Sequence, residues 1–201
     1  ARGFAPEPKF VKQNVNGIVA FGSQQKNTFA LGRNQQVFIS PYIGDLDALE
    51  MMAHFEQEMK HLLHWLDIQP QLVVVDMHPA FSSRAFVSQF HTPVYEVQHH
   101  HAHMVSCMAE HHALGKSAFG IILDGTGYGM DGHIWGFEIL YGSEKNFERK
   151  GHLKYTALPG GEKSIQEPWK NAVGMLISLF GSEKGYEMAC TLFPNHTQDI
   201  K

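Results

Sequence analysis

Leu72-Val73-Val74-Val75-Asp76 is an unbroken apolar run ending on a carboxylate. Three consecutive valines are stiff at the first side-chain torsion and favour an extended chain. A strand without polar alternation is the kind that a parallel sheet buries on both faces, and parallel neighbours need helical crossovers. Upstream, Leu46, Leu49, Phe55, Met59, Leu62, Leu63 and Leu66 recur at helical spacing, with Asp45 as a candidate cap and Pro70 as the stop. Downstream, Ser82 or Ser83 opens a short helix to Phe90. A third strand, Pro93–Gln98, then runs directly into His99-His100-His101-Ala102-His103 and a helix through Met104, Val105, Met108 and Ala109 to about Leu114. Before all of this, Ile18–Gly22, Thr28–Gly32 and Gln36–Ser40 read as an antiparallel meander with polar turns.

The pattern restarts at Ser117. Ala118–Leu123 is an apolar strand, Asp124-Gly125-Thr126-Gly127-Tyr128-Gly129 a tight turn, and Ile134–Tyr141 the returning strand. A third strand around Phe147–Tyr155 and a helix from about Ser164 to Phe180 follow. A repeated βββαβα unit is similar to the α/β fold of actin, Hsp70 and the sugar kinases, in which two ribonuclease-H-like lobes close on a nucleotide. The expected organisation is an entry segment at 1–15, a first lobe at 16–115, and the start of a second, incomplete lobe at 116–201. Many chemistries share such a fold, so topology assigns no activity.

Composition narrows the classes. The 201 residues carry a formal charge of −4 and show no Lys/Arg cluster with interleaved aromatics, which argues against a nucleic-acid track. No apolar stretch approaches the roughly 18 residues of a membrane span, so a soluble, cytoplasmic protein is expected. The two cysteines, Cys107 and Cys190, form no C-x-x-C pair and are expected to be small core residues. Histidine is the outlier, with 14 copies.

The histidine run follows a parallel strand and opens a helix, which is where ligands gather in open α/β sheets. His99 and His103 are four apart, so both imidazoles lie on one helical face and can share a zinc, iron or nickel ion. The alternative is that they coat a helix end. No Glu stands second in the motif, so a metalloprotease base is missing. His100 and His101 cannot join that face and are expected to orient the site, to face substrate or to pack. Asp124, at the end of a strand, supplies an oxygen ligand that completes a mixed set with open positions.

Gly125, Thr126, Gly127, Tyr128 and Gly129 would let the backbone turn sharply and aim N–H groups at a phosphate, or would simply make a hairpin. In the first hairpin, Lys26 is placed to meet a phosphate or carbonyl oxygen, or else is a solvated turn residue. Asp45 and Asp47 read as helix caps. Leu158-Pro159-Gly160-Gly161-Glu162 brings glycine backbone to a ligand or links two elements. No Gly-x-Ser-x-Gly elbow occurs, and Cys107 in an apolar helix reads as buried rather than nucleophilic.

In order along the chain, Lys26-Asn27-Thr28, Ile43-Gly44-Asp45-Leu46-Asp47, Asp76-Met77-His78-Pro79, Val97-Gln98-His99-His100-His101-Ala102-His103, Leu123-Asp124-Gly125-Thr126-Gly127-Tyr128-Gly129, Ile134-Trp135-Gly136-Phe137-Glu138, Leu158-Pro159-Gly160-Gly161 and Glu167-Pro168-Trp169 resemble the HypF family, over nearly the whole length. HypF proteins are carbamoyltransferases of [NiFe]-hydrogenase maturation. The resemblance implies the Kae1-like part, which receives carbamoyl adenylate made from carbamoyl phosphate and ATP. It then passes the carbamoyl group to the C-terminal cysteine of HypE.

The resemblance further implies a divalent metal, iron or zinc, on His99, His103 and Asp124, and substrate or nucleotide contacts at Lys26, Asn27, Gly125–Gly129, Gly160 and Gly161. Its implied partners are HypE and other HypF domains, with no nucleic acid and no membrane. A further aspartate ligand of the family has no counterpart before Lys201, and the family's upstream domains are missing, so this stretch is expected not to run the overall reaction alone. No catalytic base is identified, His101 being the weakest of guesses. A Kae1-type tRNA threonylcarbamoyl-transfer protein, an antibiotic O-carbamoyltransferase and an inert protein-binding fragment are the competing readings.

Overall fold

The computed structural model describes residues 7–161 and 163–200. Ala1–Pro6 of the expected entry segment and Glu162 of the Leu158–Glu162 stretch lie outside the described residues. The chain forms two compact units, Ala1–His152 and Leu153–Lys201, so the strands read from sequence as opening a second lobe sit in the same unit as the first sheet.

The first sheet contains β1 (Lys9–Phe10), β2 (Ile18–Ala20), β3 (Ala30–Arg33), β4 (Gln36–Ile39), β5 (Leu72–Asp76) and β6 (Val94–Val97), in spatial order β1-β4-β3-β2-β5-β6. The meander β2–β3–β4 is antiparallel, whereas β5 and β6 add parallel to β2, with Val19 opposite Val73 and Asp76 opposite Val97. The parallel crossovers are α1 (Leu49–Trp65) and a 3₁₀ segment, Ser82–Gln89. Burial on β5 alternates: Val73 and Val75 enter the core while Leu72, Val74 and Asp76 are half-buried, so one face is sealed more completely than the other. β6 is an edge strand with Val94 and Tyr95 exposed.

The core on this sheet joins Val19, Phe21, Phe29, Leu31, Val73 and Val75 to Phe55, Met59 and Leu62 of α1. Phe55 sits edge-on to both Phe21 and Phe29, each at 5.6 Å between ring centres. Each such fully buried side chain stabilises the fold by roughly 1.5–3 kcal/mol relative to exposure.

Two expectations about α1 are corrected. Asp45 and Asp47 do not cap it: the position before its first turn is Ala48, which makes no side-chain cap bond. Leu46, fully buried, draws the preceding loop into the core, and Asp45 instead accepts a hydrogen bond from the Lys26 backbone N–H at 2.7 Å. Asp47 accepts from the Gln24 side-chain amide at 2.8 Å. Leu49 does not join the apolar face; it is 86% exposed at the first helical position.

Helix α2 (His99–Glu110) follows β6 after a single residue, Gln98. It turns Met104 and Met108 onto a second core with Ile122, Trp135 and Leu140. The strands there are β7 (Ala118–Ile122), β8 (Gly127–Tyr128), β9 (Ile134–Trp135), β10 (Glu138–Gly142) and β11 (Phe147–His152). β7, β10 and β11 form an antiparallel sheet in the order β11-β10-β7, and β8 pairs with β9 as a separate ribbon. The single returning strand expected at Ile134–Tyr141 is therefore two strands. It breaks where the Gly136 N–H donates to the Glu138 carboxylate at 3.1 Å.

The second unit carries the helices α3 (Lys163–Gln166), α4 (Pro168–Phe180) and α5 (Ser182–Leu192). The one helix expected to Phe180 is cut before Pro168, because proline lacks the donor N–H and pushes the preceding residue, Glu167, out of helical geometry. α5, not foreseen from sequence, packs on α4 after Gly181 at φ +83°, with Gly185 so close that a Cβ would lie 2.6 Å from the Ile177 Cα.

Among the described residues no helix is long and apolar enough to cross a membrane. Cys107 is exposed, one turn past His103 and beside the Met104–Met108 seam rather than in it, and Cys190 is half-buried, so neither is a core cysteine.

Candidate metal centre

β6 delivers the chain to the N-terminus of α2, and the helical period puts His99 and His103 on one face. Their Nε2 atoms are 3.2 Å apart. Asp124, just past β7, reaches the same point: its Oδ2 is 3.1 Å from His99 Nε2 and 3.9 Å from His103 Nε2. One ligand atom from each residue falls within a 4.8 Å cluster. Asp124 Oδ2 is sealed from solvent yet forms no well-aligned hydrogen bond. Lone pairs thus converge there with too few protons between them, an arrangement that a cation relieves. Two imidazole nitrogens and a carboxylate oxygen suit zinc or ferrous iron, and His103, 53% exposed, leaves an open side. The donor set fits a metal ion.

His99 is held from behind. Its Nδ1 is 2.8 Å from Asp76 Oδ2, while Asp76 Oδ1 accepts the His78 backbone N–H, also at 2.8 Å. The Asp76 hydrogen bond, opposed by burial and helped by the charges of Asp76 and Asp124, holds His99 above the usual histidine range. His100 behaves oppositely: fully buried, it is pushed below that range by desolvation and stays neutral. His100 Nε2 is 4.0 Å from Asp124 Oδ2 and makes no well-aligned hydrogen bond, with the Gly136 backbone beside the ring. His101 is not placed as a base at this centre. Its Nε2 is taken by the Ser143 carbonyl at 2.8 Å, and its ring packs on Phe147.

The glycine run differs from its expected role. None of Gly125, Gly127 and Gly129 has a positive φ; the sharp turn is at Gly132, φ +76°. Gly127 is a contact residue, since a Cβ would lie 2.5 Å from His100 Cε1 and 3.0 Å from His99 Cβ. Gly129 leaves room for Trp135 in the same way, and its N–H is committed to the His133 carbonyl. Only at Gly125 is the space about the backbone open. Tyr128 lies edge-on to His78, and its carbonyl accepts from Gln98, which also caps α2 at the His101 N–H.

Lys26 is exposed on a left-handed turn, φ +48°. Asn27 beside it is fully buried, donating to the Phe21 and Ser23 carbonyls, with its Oδ1 unpartnered. Gly160 and Gly161, both with positive φ, shape the turn before α3 in the second compact unit.

Sequence reasoning passed over three contributors. Asp76 was read as the end of a strand and the start of a family motif, with no role at the site. Gln98 was read as the end of the third strand and a member of the histidine motif, with no role of its own. Glu138, 1% exposed, is clamped by Arg149 through contacts of 2.6 and 2.8 Å, and Arg149 lies 4.1 Å over the Trp135 ring. Trp135 in turn donates to Asp131 at 2.9 Å. This buried pair fixes the ribbon that carries Gly127. An acidic residue at a strand's carboxyl end was the available signal for Asp76; nothing local marked Arg149.

Comparison with known proteins agrees with the motif resemblance. The family model for the HypF Kae1-like domain matches residues 13–110, and that for the second subdomain of the carbamoyltransferase Kae1-like domain matches 120–200. The chain belongs to the HypF family. Carbamoyltransferase HypF of Synechocystis sp. is 38% identical over 184 residues, 91% of this chain and 24% of that protein. Carbamoyltransferase HypF of Rhizobium leguminosarum bv. viciae is 34% identical over 197 residues, 98% of this chain and 25% of its own length.

Among solved HypF structures, full-length HypF in a phosphate- and nucleotide-bound form superposes with a TM-score of 0.85 at 37% identity, over 99% of this chain and 25% of that one. T. kodakarensis HypF superposes at 0.88 and 31%, over 100% and 27%. The HypF segment described here therefore spans about a quarter of the length of the relatives it matches.

Proposed function

We propose that this HypF-family segment is the carbamoyl-transfer part of a hydrogenase-maturation carbamoyltransferase, with iron or zinc held by His99, His103 and Asp124. The observation that carries the proposal is the convergence of three ligand atoms within 4.8 Å around the unsatisfied Asp124 Oδ2. The names of the relatives supply the reaction class, and the phosphate- and nucleotide-bound form of one of them supports a nucleotide substrate. The duplicated ribonuclease-H-like architecture is part of the same proposal, supported by the antiparallel triplet β7, β10, β11 echoing β2, β3, β4.

The substrate is carbamoyl adenylate, formed from carbamoyl phosphate and ATP, and the acceptor is the C-terminal cysteine thiolate of HypE. Sulfur attacks the carbamoyl carbon, the S–C bond forms, and the C–O bond to the phosphate breaks with its electron pair leaving on AMP. A bound metal supplies Lewis acidity toward the phosphoryl or carbonyl oxygen. The chain itself orients: His99, His103 and Asp124 fix the anchoring point, the open backbone at Gly125 and Thr126 offers N–H donors to an anion, and Lys26 and Asn27 contribute from the first hairpin. Buried, neutral His100 carries no competing positive charge. No protein nucleophile is needed.

Metal content of anaerobically purified protein tests the reading, comparing wild type with His99→Ala, His103→Ala and Asp124→Asn. One equivalent of iron or zinc in wild type and a loss in all three variants is expected. Absence of metal in reconstituted wild type, or its retention in all variants, would overturn it. Carbamoyl transfer to a HypE C-terminal peptide by the full-length protein, lost in the same variants, is the functional counterpart.

A further inference from the structure

We infer that Asp76 is a positioning residue that selects the tautomer of His99, keeping the proton on Nδ1 so that Nε2 presents a lone pair at the cluster. The inference deepens the metal-centre reading and rests on it for its consequence, though not for its geometry. Asp76 is at the carboxyl end of β5, with its side chain 8% exposed, and its two oxygens have different duties. Oδ1 accepts the His78 backbone N–H at 2.8 Å, and Oδ2 faces His99 Nδ1 at 2.8 Å.

The His78 N–H holds the carboxylate in this orientation, and the strand end that carries it is fixed as well: Arg84 Nη1 donates to the Asp76 carbonyl at 2.8 Å, and the same guanidinium pairs with Glu96 on β6. Both ring nitrogens face acceptor-only carboxylates, but Asp76 stands at 2.8 Å and is pinned, whereas Asp124 Oδ2 is at 3.1 Å and makes no well-aligned hydrogen bond, so a neutral His99 donates from Nδ1. Its Nε2 is then left without a proton 3.1 Å from Asp124 Oδ2 and 3.2 Å from His103 Nε2, the state a metal ligand requires.

The isosteric change Asp76→Asn makes a prediction that packing alone does not. The Asn oxygen is pinned to the His78 N–H, since its NH₂ there would set donor against donor. The NH₂ therefore faces His99 Nδ1, demands an acceptor, and drives the proton to Nε2. That N–H then points at Asp124 Oδ2, filling the metal position with a hydrogen bond and leaving the fold intact. Asp76→Ala removes the constraint without reversing it. The expected order of zinc affinity is wild type, then Asp76→Ala, then Asp76→Asn, with the Asn variant weaker than wild type by roughly 10–100-fold. A merely structural role predicts the reverse order of the two variants, because Asn preserves the shape.

The experiment has two independent readouts. Long-range ¹H–¹⁵N correlation of the His99 ring in metal-free protein, at a pH where the ring is neutral, reports the tautomer. Zinc titration against a chromophoric chelator reports affinity, and denaturant unfolding verifies that both variants fold. A proton on Nδ1 in wild type and on Nε2 in Asp76→Asn, with the stated affinity order, is the expected result. A proton on Nε2 in wild type, or an Asn variant that binds zinc as well as the Ala variant or better, overturns the inference. Tautomer reversal in a wild-type background that binds no zinc upholds the role of Asp76 and removes the metal-centre reading instead.

Discussion

Gly127→Ala adds a single methyl group where the glycine run presses on the histidines. That carbon would lie 2.5 Å from His100 Cε1, 2.7 Å from His100 Nδ1 and 3.0 Å from His99 Cβ, where ordinary contact needs about 3.5–4.0 Å between carbons. His100 cannot swing aside, because it is fully buried, with Nδ1 3.3 Å from the Gln98 amide and its ring against Trp135. The strain must therefore be taken up by moving the β8–β9 ribbon or the start of α2 by about an ångström, at the 1–3 kcal/mol typical of an overpacked core. Either movement pulls His99 and Asp124 apart, so metal affinity falls along with stability. Gly125→Ala is the internal control: it lies two residues away, with no atom within 4 Å of the added carbon and no positive φ. Urea unfolding and zinc titration of the two variants decide the matter. A Gly127→Ala protein within about 0.5 kcal/mol of wild type, the size of a neutral surface change, and binding zinc normally, would show that the glycine is not a packing requirement.

Further predictions concern charge. His99 has a raised folded pKa, so in metal-free protein its contribution to stability is fully present below the unfolded value of about 6.5 and is lost as pH rises through the raised folded value. His100, with a lowered folded pKa, contributes in the opposite sense: stability is present above about 6.5 and declines as pH falls toward its folded value. The difference in unfolding free energy between wild type and His99→Gln should therefore shrink from pH 6 to pH 9. A difference that grows over that range would contradict the assignment. Protons and metal compete for His99, so zinc affinity should also weaken as pH drops below the raised value. Arg149→Met leaves the buried Glu138 with only the Gly136 N–H among the described residues and removes the Arg149–Asp131 contact as well, so it should destabilise by about 3–5 kcal/mol in urea unfolding, the usual cost of breaking a buried pair; a loss below about 1 kcal/mol would show that Glu138 reaches solvent.

What local order could decide was legible in the chain. The valine run became β5, the meander and the parallel addition of β5 and β6 followed from periodicity and turn residues, and the four-residue spacing placed His99 and His103 on one face. These are short-range matters, fixed by the steric preferences of a few neighbouring residues. Where the reading failed, a competing long-range demand had won. Burial of Leu46 displaced the start of α1 and turned Asp45 from a cap into an acceptor for Lys26. Pro168 overruled a continuous apolar period, and Gly127 and Gly129 serve close packing on His100 and Trp135 instead of a reversal of the chain.

The sequence by itself determined which residues carry ligand chemistry, because imidazole and carboxylate are properties of the residue and helical spacing is a property of the backbone. Only the tertiary structure decided that Asp124 arrives 3.1 Å from His99, that Asp76 stands behind it, and that His101 points elsewhere. Those facts depend on how β5, β6 and β7 are set beside α2 by two separate hydrophobic cores. Contacts between residues dozens of positions apart are selected by the burial of the whole, which no local stretch encodes.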